Sequence, residues 1–315
     1  MILTLTPNPS LDRTIEVHSL IPGDVHRATS NRLDPGGKGV NVSRGLAANA
    51  VSTTAIVPAG GPEGRQLADL LEPAGFPVVT VPLHSPTRSN VTIVESDGTT
   101  TKINEQGPVL SAAEADAIAA CVLAEAVAAD WVVLSGSLPN GVPASYYADL
   151  VERAHALGCR VAVDTSGDAL LAAVEAKPDL IKPNTEELAE LAATSLRTWS
   201  DVAQQAQALQ SAGVASVLVS LGSDGALLVD DQGVARAFSP PVTVRSTVGA
   251  GDATLAGFLA GGAKGSESLR MAVAFGAGAV TLPGSAMPTP TDIHPDQVTV
   301  QLEPNLAVDL HEVPA

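Results

Sequence analysis

From about Asp130 onward, short runs rich in β-branched residues alternate with Ala/Leu-rich stretches of helical length. The strand-like runs are Trp131–Leu134, Arg160–Asp164, Leu180–Lys182, Ser216–Leu221 and Ala226–Val229. Helical stretches at Ser145–Leu157, Ala169–Ala176, Glu186–Ala193 and Ser200–Ala212 separate them. Near-continuously apolar strands must be covered on both faces, and helices between them supply the cover. The pattern therefore predicts an α/β fold with a mostly parallel central sheet joined by right-handed crossovers. Aromatics make up 3% of a chain that is 45% hydrophobic, so Ala, Val and Leu must fill the core.

Helix ends agree with this reading. Ser111 and Glu114 have capping-box spacing before an Ala-rich helix, and Gly158 and Gly213 stand where helices should stop. The first hundred residues are different in kind. Val91–Val94 and Thr100–Ile103 flank Ser96-Asp97-Gly98, a hairpin signal. With residues near Thr14–Val17 this predicts a small β layer, drawn from segments near 12–34 and 85–106, projecting from a single domain that spans 1–315. The Pro-rich tail after Met287 is expected to cross the surface.

Charge excludes some functions. Thirty-four acidic against 17 basic residues give a formal charge of −17, which argues against a nucleic-acid partner. A small anion remains possible, because a few cations or backbone N–H groups hold one locally. Cys121 and Cys159 have no metal-site spacing, which fits a reducing, cytoplasmic setting. No basic leader precedes a long apolar run, and the uncharged stretch after Arg270 is broken at Pro283-Gly284, so neither a secretory signal nor a membrane span is expected.

The segment Ser246-Thr247-Val248-Gly249-Ala250-Gly251-Asp252-Ala253 carries the most chemistry. It follows a strand-like run, Val242–Arg245, and opens a helix through Gly261. Gly249 and Gly251 allow close approach of backbone N–H groups, and a helix N-terminus favours an anion. A carboxylate at Asp252 would repel that anion. The conflict resolves if Asp252 takes the proton of a hydroxyl attacking a phosphoryl group; the alternative is a helix cap.

This GAGD segment resembles the C-terminal signature of ribokinase-like sugar kinases. Asp34–Arg44, DPGGKGVNVSR, resembles their N-terminal signature. Thr6-Pro7-Asn8-Pro9-Ser10-Leu11-Asp12, Thr87–Asn90, Ser135–Pro139 and Lys182–Glu187 look like the phosphofructokinase B branch. Gly36–Gly39 (GGKG) and Thr101–Glu105 (TKINE) look most like bacterial 1-phosphofructokinases. The resemblance implies a ribokinase-like fold with a β lid and ATP-dependent phosphorylation of fructose 1-phosphate to fructose 1,6-bisphosphate. Tagatose 6-phosphate and fructose 6-phosphate remain alternative substrates, and a non-catalytic sugar-phosphate sensor a different class of function. A dinucleotide-binding oxidoreductase would need G-x-G-x-x-G after the first strand, where TPNPSLD stands instead.

Site residues follow from the resemblance together with side-chain chemistry. Asp252 is the expected base, with Gly249, Ala250 and Gly251 holding the transferred phosphoryl group. Asp12, placed at the end of a strand-like run, and Asn41 suit sugar hydroxyls, and Gly37 allows close approach. Arg88 is the first candidate for the substrate phosphate because a guanidinium grips it bidentately; Lys38, Lys102 and Ser137 follow. Ser220, Gly222 and Gly225 form a tight loop where the family places ATP, with Lys182 and Asn184 nearby and small residues around Ala274–Ala279 toward the base. Asn184 and Glu187 either help organise Mg²⁺ through its waters or form a capping box before Leu188. Pairing of exposed lid edges would give a homodimer.

Overall fold

The computed structural model of the chain describes residues 1–304, 306 and 310. The N-terminal part runs β1 (Ile2–Leu5), β2 (Ser10–Val17), β3 (Ser30–Gly36), α1 (Lys38–Ala48), β4 (Thr53–Ala59), α2 (Gly61–Leu71), β5 (Val78–Pro82), β6 (Arg88–Glu95) and β7 (Thr100–Asn104). The middle continues with α3 (Ala112–Ala126), β8 (Trp131–Ser135), α4 (Tyr146–Ala156), β9 (Arg160–Asp164), α5 (Gly167–Glu175), β10 (Leu180–Ile181), α6 (Thr185–Ala192) and α7 (Trp199–Ser211). The last part holds β11 (Ser216–Ser220), β12 (Ala226–Asp230), β13 (Gly233–Phe238), α8 (Ala250–Ala260), α9 (Gly265–Val280) and β14 (Thr299–Leu302).

Among the described residues these strands form a ten-stranded sheet, ordered β14-β13-β12-β11-β10-β9-β8-β1-β4-β5, and a four-stranded sheet, ordered β3-β2-β6-β7. Every pairing from β11 across to β5 is parallel, and β12, β13 and β14 extend the edge antiparallel. The expected α/β architecture follows from strands buried on both faces. Leu3, Val132, Val161 and Val217 pack with α3 to α7, while their neighbours Ile2, Val133, Ala162 and Leu218 pack with α1, α8 and α9. The capping box at Ser111 and Glu114 starts α3, and Gly158 and Gly213 follow α4 and α7 with positive φ. No helix among the described residues is long and apolar enough to cross a membrane.

The small sheet is mixed: β2 pairs antiparallel with β3 but parallel with β6, and β6–β7 is the hairpin expected around Ser96-Asp97-Gly98. Two expectations change. Val242–Arg245 is not a strand; Pro240 and Pro241 precede it, the edge of β13 is taken by β14, and Arg245 N donates to Val280 O instead. Nor does the chain after Met287 merely cross the surface: Met287, Ile293 and Val298 are buried beneath α8 and α9 before β14 joins the sheet. The last part of that tail lies outside the described residues.

Candidate active site

The chain leaves β1 toward β4 and β5, then returns to the other side of β1 to lay down β8 to β11. Ligands bind outside the carboxyl ends of strands at such a switch point. A cleft of about 380 Å³ opens there. Thr6, Ser137 and Thr165, which follow β1, β8 and β9, line one wall; Asp12, Asn90 and Asn104 of the small sheet line the other. The N-termini of α1 and α8 both end in it, so two helix dipoles present their positive ends to the cleft.

At the start of α8, Gly249 adopts φ 79°, a left-handed conformation that an L side chain resists, and the turn exposes the first helical N–H groups. Asp252 follows within the first turn, 7% exposed. Its Oδ2 accepts a hydrogen bond from Asn41 Nδ2 at 2.8 Å. Burial and the nearby Asp164 carboxylate push the Asp252 carboxyl up to about 6, against the Asn41 hydrogen bond and the charges of Lys38 and Lys182. A carboxylate poised there is a competent proton acceptor near neutral pH.

Behind it lies a charge network that sequence reasoning did not find. Asp164, at the carboxyl end of β9, is fully buried and takes Lys38 Nζ at 2.9 Å and Lys182 Nζ at 3.3 Å. Burial opposes its ionisation, but Lys182 and Lys38 outweigh that and hold its carboxyl below the usual range. The signal was an acid ending an apolar strand at a ligand-bearing edge, and the two cations that explain it lie far away in sequence. Lys38 also reaches Glu187 Oε1 at 3.7 Å. Burial disfavours its charge, yet Asp164 and Glu187 overcome this and raise its pKa. Lys38 is thus ion-paired on the body while still lining the cleft. Lys182 lies against the Gly249–Gly251 turn: a Cβ on Gly251 would stand 3.3 Å from its Nζ.

Asn184 and Glu187 form a reciprocal capping box at α6. Glu187 N donates to Asn184 Oδ1 at 2.8 Å, and Asn184 N donates to Glu187 Oε2 at 2.9 Å. Glu187 keeps Oε1 toward Lys38 and lines the cleft. Ser220 bridges to Asn184 at the end of β11, and Gly222 and Gly225, both at positive φ, close the turn into β12. A second cavity of about 160 Å³ lies farther along α9, lined by Val242, Ala274, Ala277, Gly278 and His294 among others.

On the opposite wall Asp12 sits inside β2 rather than at a strand end, because pairing with β3 begins already at Ser10. Its Oδ1 accepts from Ser10 Oγ at 2.7 Å and Asn90 Nδ2 at 2.8 Å, leaving Oδ2 for the cleft. Gly37 also lines the cleft. Arg88 opens β6 and donates through Nη1 to Glu105 O and through Nη2 to Asn8 O, both at 3.0 Å. Its buried Nε has no hydrogen-bond partner among the described residues. Asn8 Nδ2 donates to Ser137 Oγ at 3.3 Å. Lys102 is exposed on β7, on the same face as Asp12 but one row beyond Asn104. Asn8, Asn90 and Asn104 are cleft residues not singled out by the sequence; they lie inside the segments Thr6–Asp12, Thr87–Asn90 and Thr101–Glu105.

The sequence model of the pfkB family carbohydrate kinases matches residues 8–292. The 1-phosphofructokinase of Rhodobacter capsulatus is 38% identical over 297 residues, covering 92% of this chain and 93% of that protein. The ATP-dependent 6-phosphofructokinase isozyme 2 of Escherichia coli K12 is 38% identical over 292 residues, covering 91% and 94%. The crystal structure of phosphofructokinase-2 from Escherichia coli in complex with substrates and products superposes with a TM-score of 0.87 at 36% identity, covering 92% of this chain and 96% of that one.

Proposed function

The chain belongs to the pfkB family of carbohydrate kinases, and on that premise we propose that it transfers the γ-phosphoryl group of ATP to O6 of D-fructose 1-phosphate, giving D-fructose 1,6-bisphosphate and ADP. The observation that carries the reading is a buried carboxyl with a raised pKa in the first turn of a helix whose N-terminus faces the cleft. Asp252 takes the O6 proton as O6 bonds to phosphorus and the bond to the ADP oxygen breaks. The N–H groups of Gly249, Ala250 and Gly251, with the Lys182 ammonium beside them, stabilise charge on the transferred group. Asp12 Oδ2 accepts sugar hydroxyls. Arg88, with Nε still to be satisfied, Ser137 and, farther out, Lys102 take the 1-phosphate. Asn41 and Gly37 complete the sugar wall.

ATP lies along Lys182, Asn184, Ser220, Gly222 and Gly225, with its base toward the second cavity. Mg²⁺ would be held through its waters by Glu187, which Asn184 orients. No group of three acidic, His or Cys residues among the described ones forms a direct cage, and the Glu187 carboxylate lining the cleft offers a hard oxygen that suits a hydrated magnesium ion. When bound, the ion neutralises charge on the ATP phosphates.

The whole chain acts as one kinase domain, and the small sheet is its lid, closing to exclude water. The lid face opposite Asp12 carries Ile15, Val91, Ile93 and Ile103, the last 57% exposed, which supports a homodimer through paired lids. Free thiols at Cys121 and Cys159 support a cytoplasmic setting. The test is ADP release with Mg-ATP on fructose 1-phosphate, fructose 6-phosphate and tagatose 6-phosphate at matched low concentrations, where rates report kcat/KM. Preference for fructose 1-phosphate is expected. Preference for a 6-phosphate would keep the chemistry and change the substrate; no turnover by folded protein that binds ATP would favour a sensor.

A further inference from the structure

The Asn41–Asp252 contact has a structural origin that points to a third residue. Helices α1 and α8 lie side by side because Gly45 has no side chain: a Cβ there would stand 3.1 Å from Ala256 Cβ. One turn toward the N-terminus on each helix, Asn41 meets Asp252. A side-chain amide has two faces to offer, and only the NH₂ end helps a carboxylate; turned over, its oxygen would repel Asp252. Arg44 removes that ambiguity. Its Nη1 lies 3.1 Å from Asn41 Oδ1 and 3.1 Å from Ser285 O. A guanidinium has donors and no acceptor, so it can face only the oxygen of the amide. Ser285 belongs to the segment packed beneath the catalytic turn, where Met287 Cε would lie 2.8 Å from a Cβ on Gly249. Arg44 thus binds both the amide that contacts the base and the support of the turn that carries it.

We propose that Arg44 is a positioning residue for phosphoryl transfer: by holding Asn41 Oδ1 it forces Asn41 Nδ2 to donate to Asp252, which fixes one carboxylate oxygen and leaves the other for the attacking hydroxyl. The inference rests on Asp252 being the base. The groups acting on that carboxyl are Asp164, which disfavours its ionisation, and Asn41, Lys38 and Lys182, which favour it. Loss of the Asn41 donor removes one of the favourable three, so the carboxyl holds its proton to higher pH.

The experiment is single-turnover transfer from saturating Mg-ATP to saturating fructose 1-phosphate, with melting curves confirming that each variant is folded. Arg44→Met should slow transfer about tenfold with both KM values within about twofold of the parent. In an Asn41→Ala background the same substitution should cost little further, because the relay to the base acts through Asn41 and only the Ser285 O bond is left to lose. The acid limb of kcat/KM should move to higher pH in Arg44→Met, and Arg44→Lys, also donor-only, should restore both rate and limb. If Arg44→Met does not fold, Arg44→Gln takes its place, with a loss of about threefold that likewise all but vanishes in the Asn41→Ala background. Losses that multiply in the double variant, or a raised KM with unchanged transfer rate, overturn the proposal. Asp252→Asn measured alongside separates the two levels: near-normal transfer by that variant removes the base itself. Wild-type transfer by Arg44→Met beside an inactive Asp252→Asn removes only the relay.

Discussion

Asp252 and Asp12 face one cleft from opposite walls, and their surroundings differ in kind. Asp252 stands on a helix of the body, buried among Asp164, Lys38 and Lys182, with one neutral donor, Asn41. Asp12 stands on a strand of the small sheet, half-buried, with Ser10 and Asn90 as its hydrogen-bond donors. In the proposed reaction one wall must gain a proton and stabilise moving charge, so fixed charges in a dry, close-packed place are useful there. The other has only to accept hydroxyls and hold a phosphate that does not react, which amides and one guanidinium do without any change of charge. On the proposed reading, chemistry is built into the body and recognition into the small sheet.

The division breaks if a body-wall change alters binding instead of rate. Asp252→Asn should therefore lower kcat by about 10²–10⁴-fold while KM for both substrates stays close to the parent value. Steady-state kinetics on the folded variant decide this, and near-normal turnover would move the base elsewhere. On the sheet wall the expected signature is reversed. Arg88→Met should raise KM for the sugar phosphate by about 10–100-fold, since a charge-assisted hydrogen bond contributes about 1.5–3 kcal/mol. KM for ATP should hardly move. A fall in kcat would instead mean that the bonds from Arg88 to Asn8 O and Glu105 O, which tie the segments before β2 and after β7 at one end of the small sheet, matter for closure.

A smaller effect separates the walls by pH. Asp252 acts in its ionised form, and its carboxyl lies at about 6 in the free protein. Activity read as kcat/KM should be level above that pH and fall about tenfold per unit below it, because protonation removes the acceptor. A pH–rate profile with fructose 1-phosphate held well below KM tests this. A limb displaced toward pH 4 would mean that the burial and the Asp164 charge around Asp252 do not act as the structure indicates.

What could be read from the sequence also divides between near and far. Strand–helix alternation after Asp130, the box at Ser111 and Glu114, and the Gly249–Asp252 turn are local patterns, set by residues a few positions apart. Asp164 was not legible because its partners, Lys38 and Lys182, come from other strands' ends; only the sheet order brings the three together. For the same reason the pairing of Lys38 with Asp164 and Glu187 is not visible in the sequence, where only its charge within the Gly36–Gly39 turn is. Val242–Arg245 has the composition of a strand, but strands need an edge, and β14 from the far end of the chain occupies it. Asn90 was passed over beside Arg88, since its use depends on the β2–β6 register that sets it against Asp12.

The smallest effect concerns a residue that belongs to both fold and site. Asn184 caps α6 with its side-chain oxygen, and Glu187 returns the bond with Oε2, so each of these oxygens is already engaged in the helix start. Asn184→Ala should therefore cost about 1 kcal/mol of stability, the usual loss for such a cap, measured by denaturant unfolding. It also releases Glu187 from the orientation in which Oε1 faces Lys38. If Glu187 helps hold the waters of Mg²⁺, the Mg²⁺ concentration for half-maximal rate should rise about two- to threefold, roughly what 0.4–0.7 kcal/mol of lost orientation produces. Glu187→Gln keeps the cap acceptor but removes the charge, so it should leave stability nearly unchanged and raise the Mg²⁺ requirement further. Equal Mg²⁺ dependence in all three proteins would leave the Asn184–Glu187 pair as a helix start alone, and the body wall's charges would then act through Asp164, Lys38 and Lys182 without it.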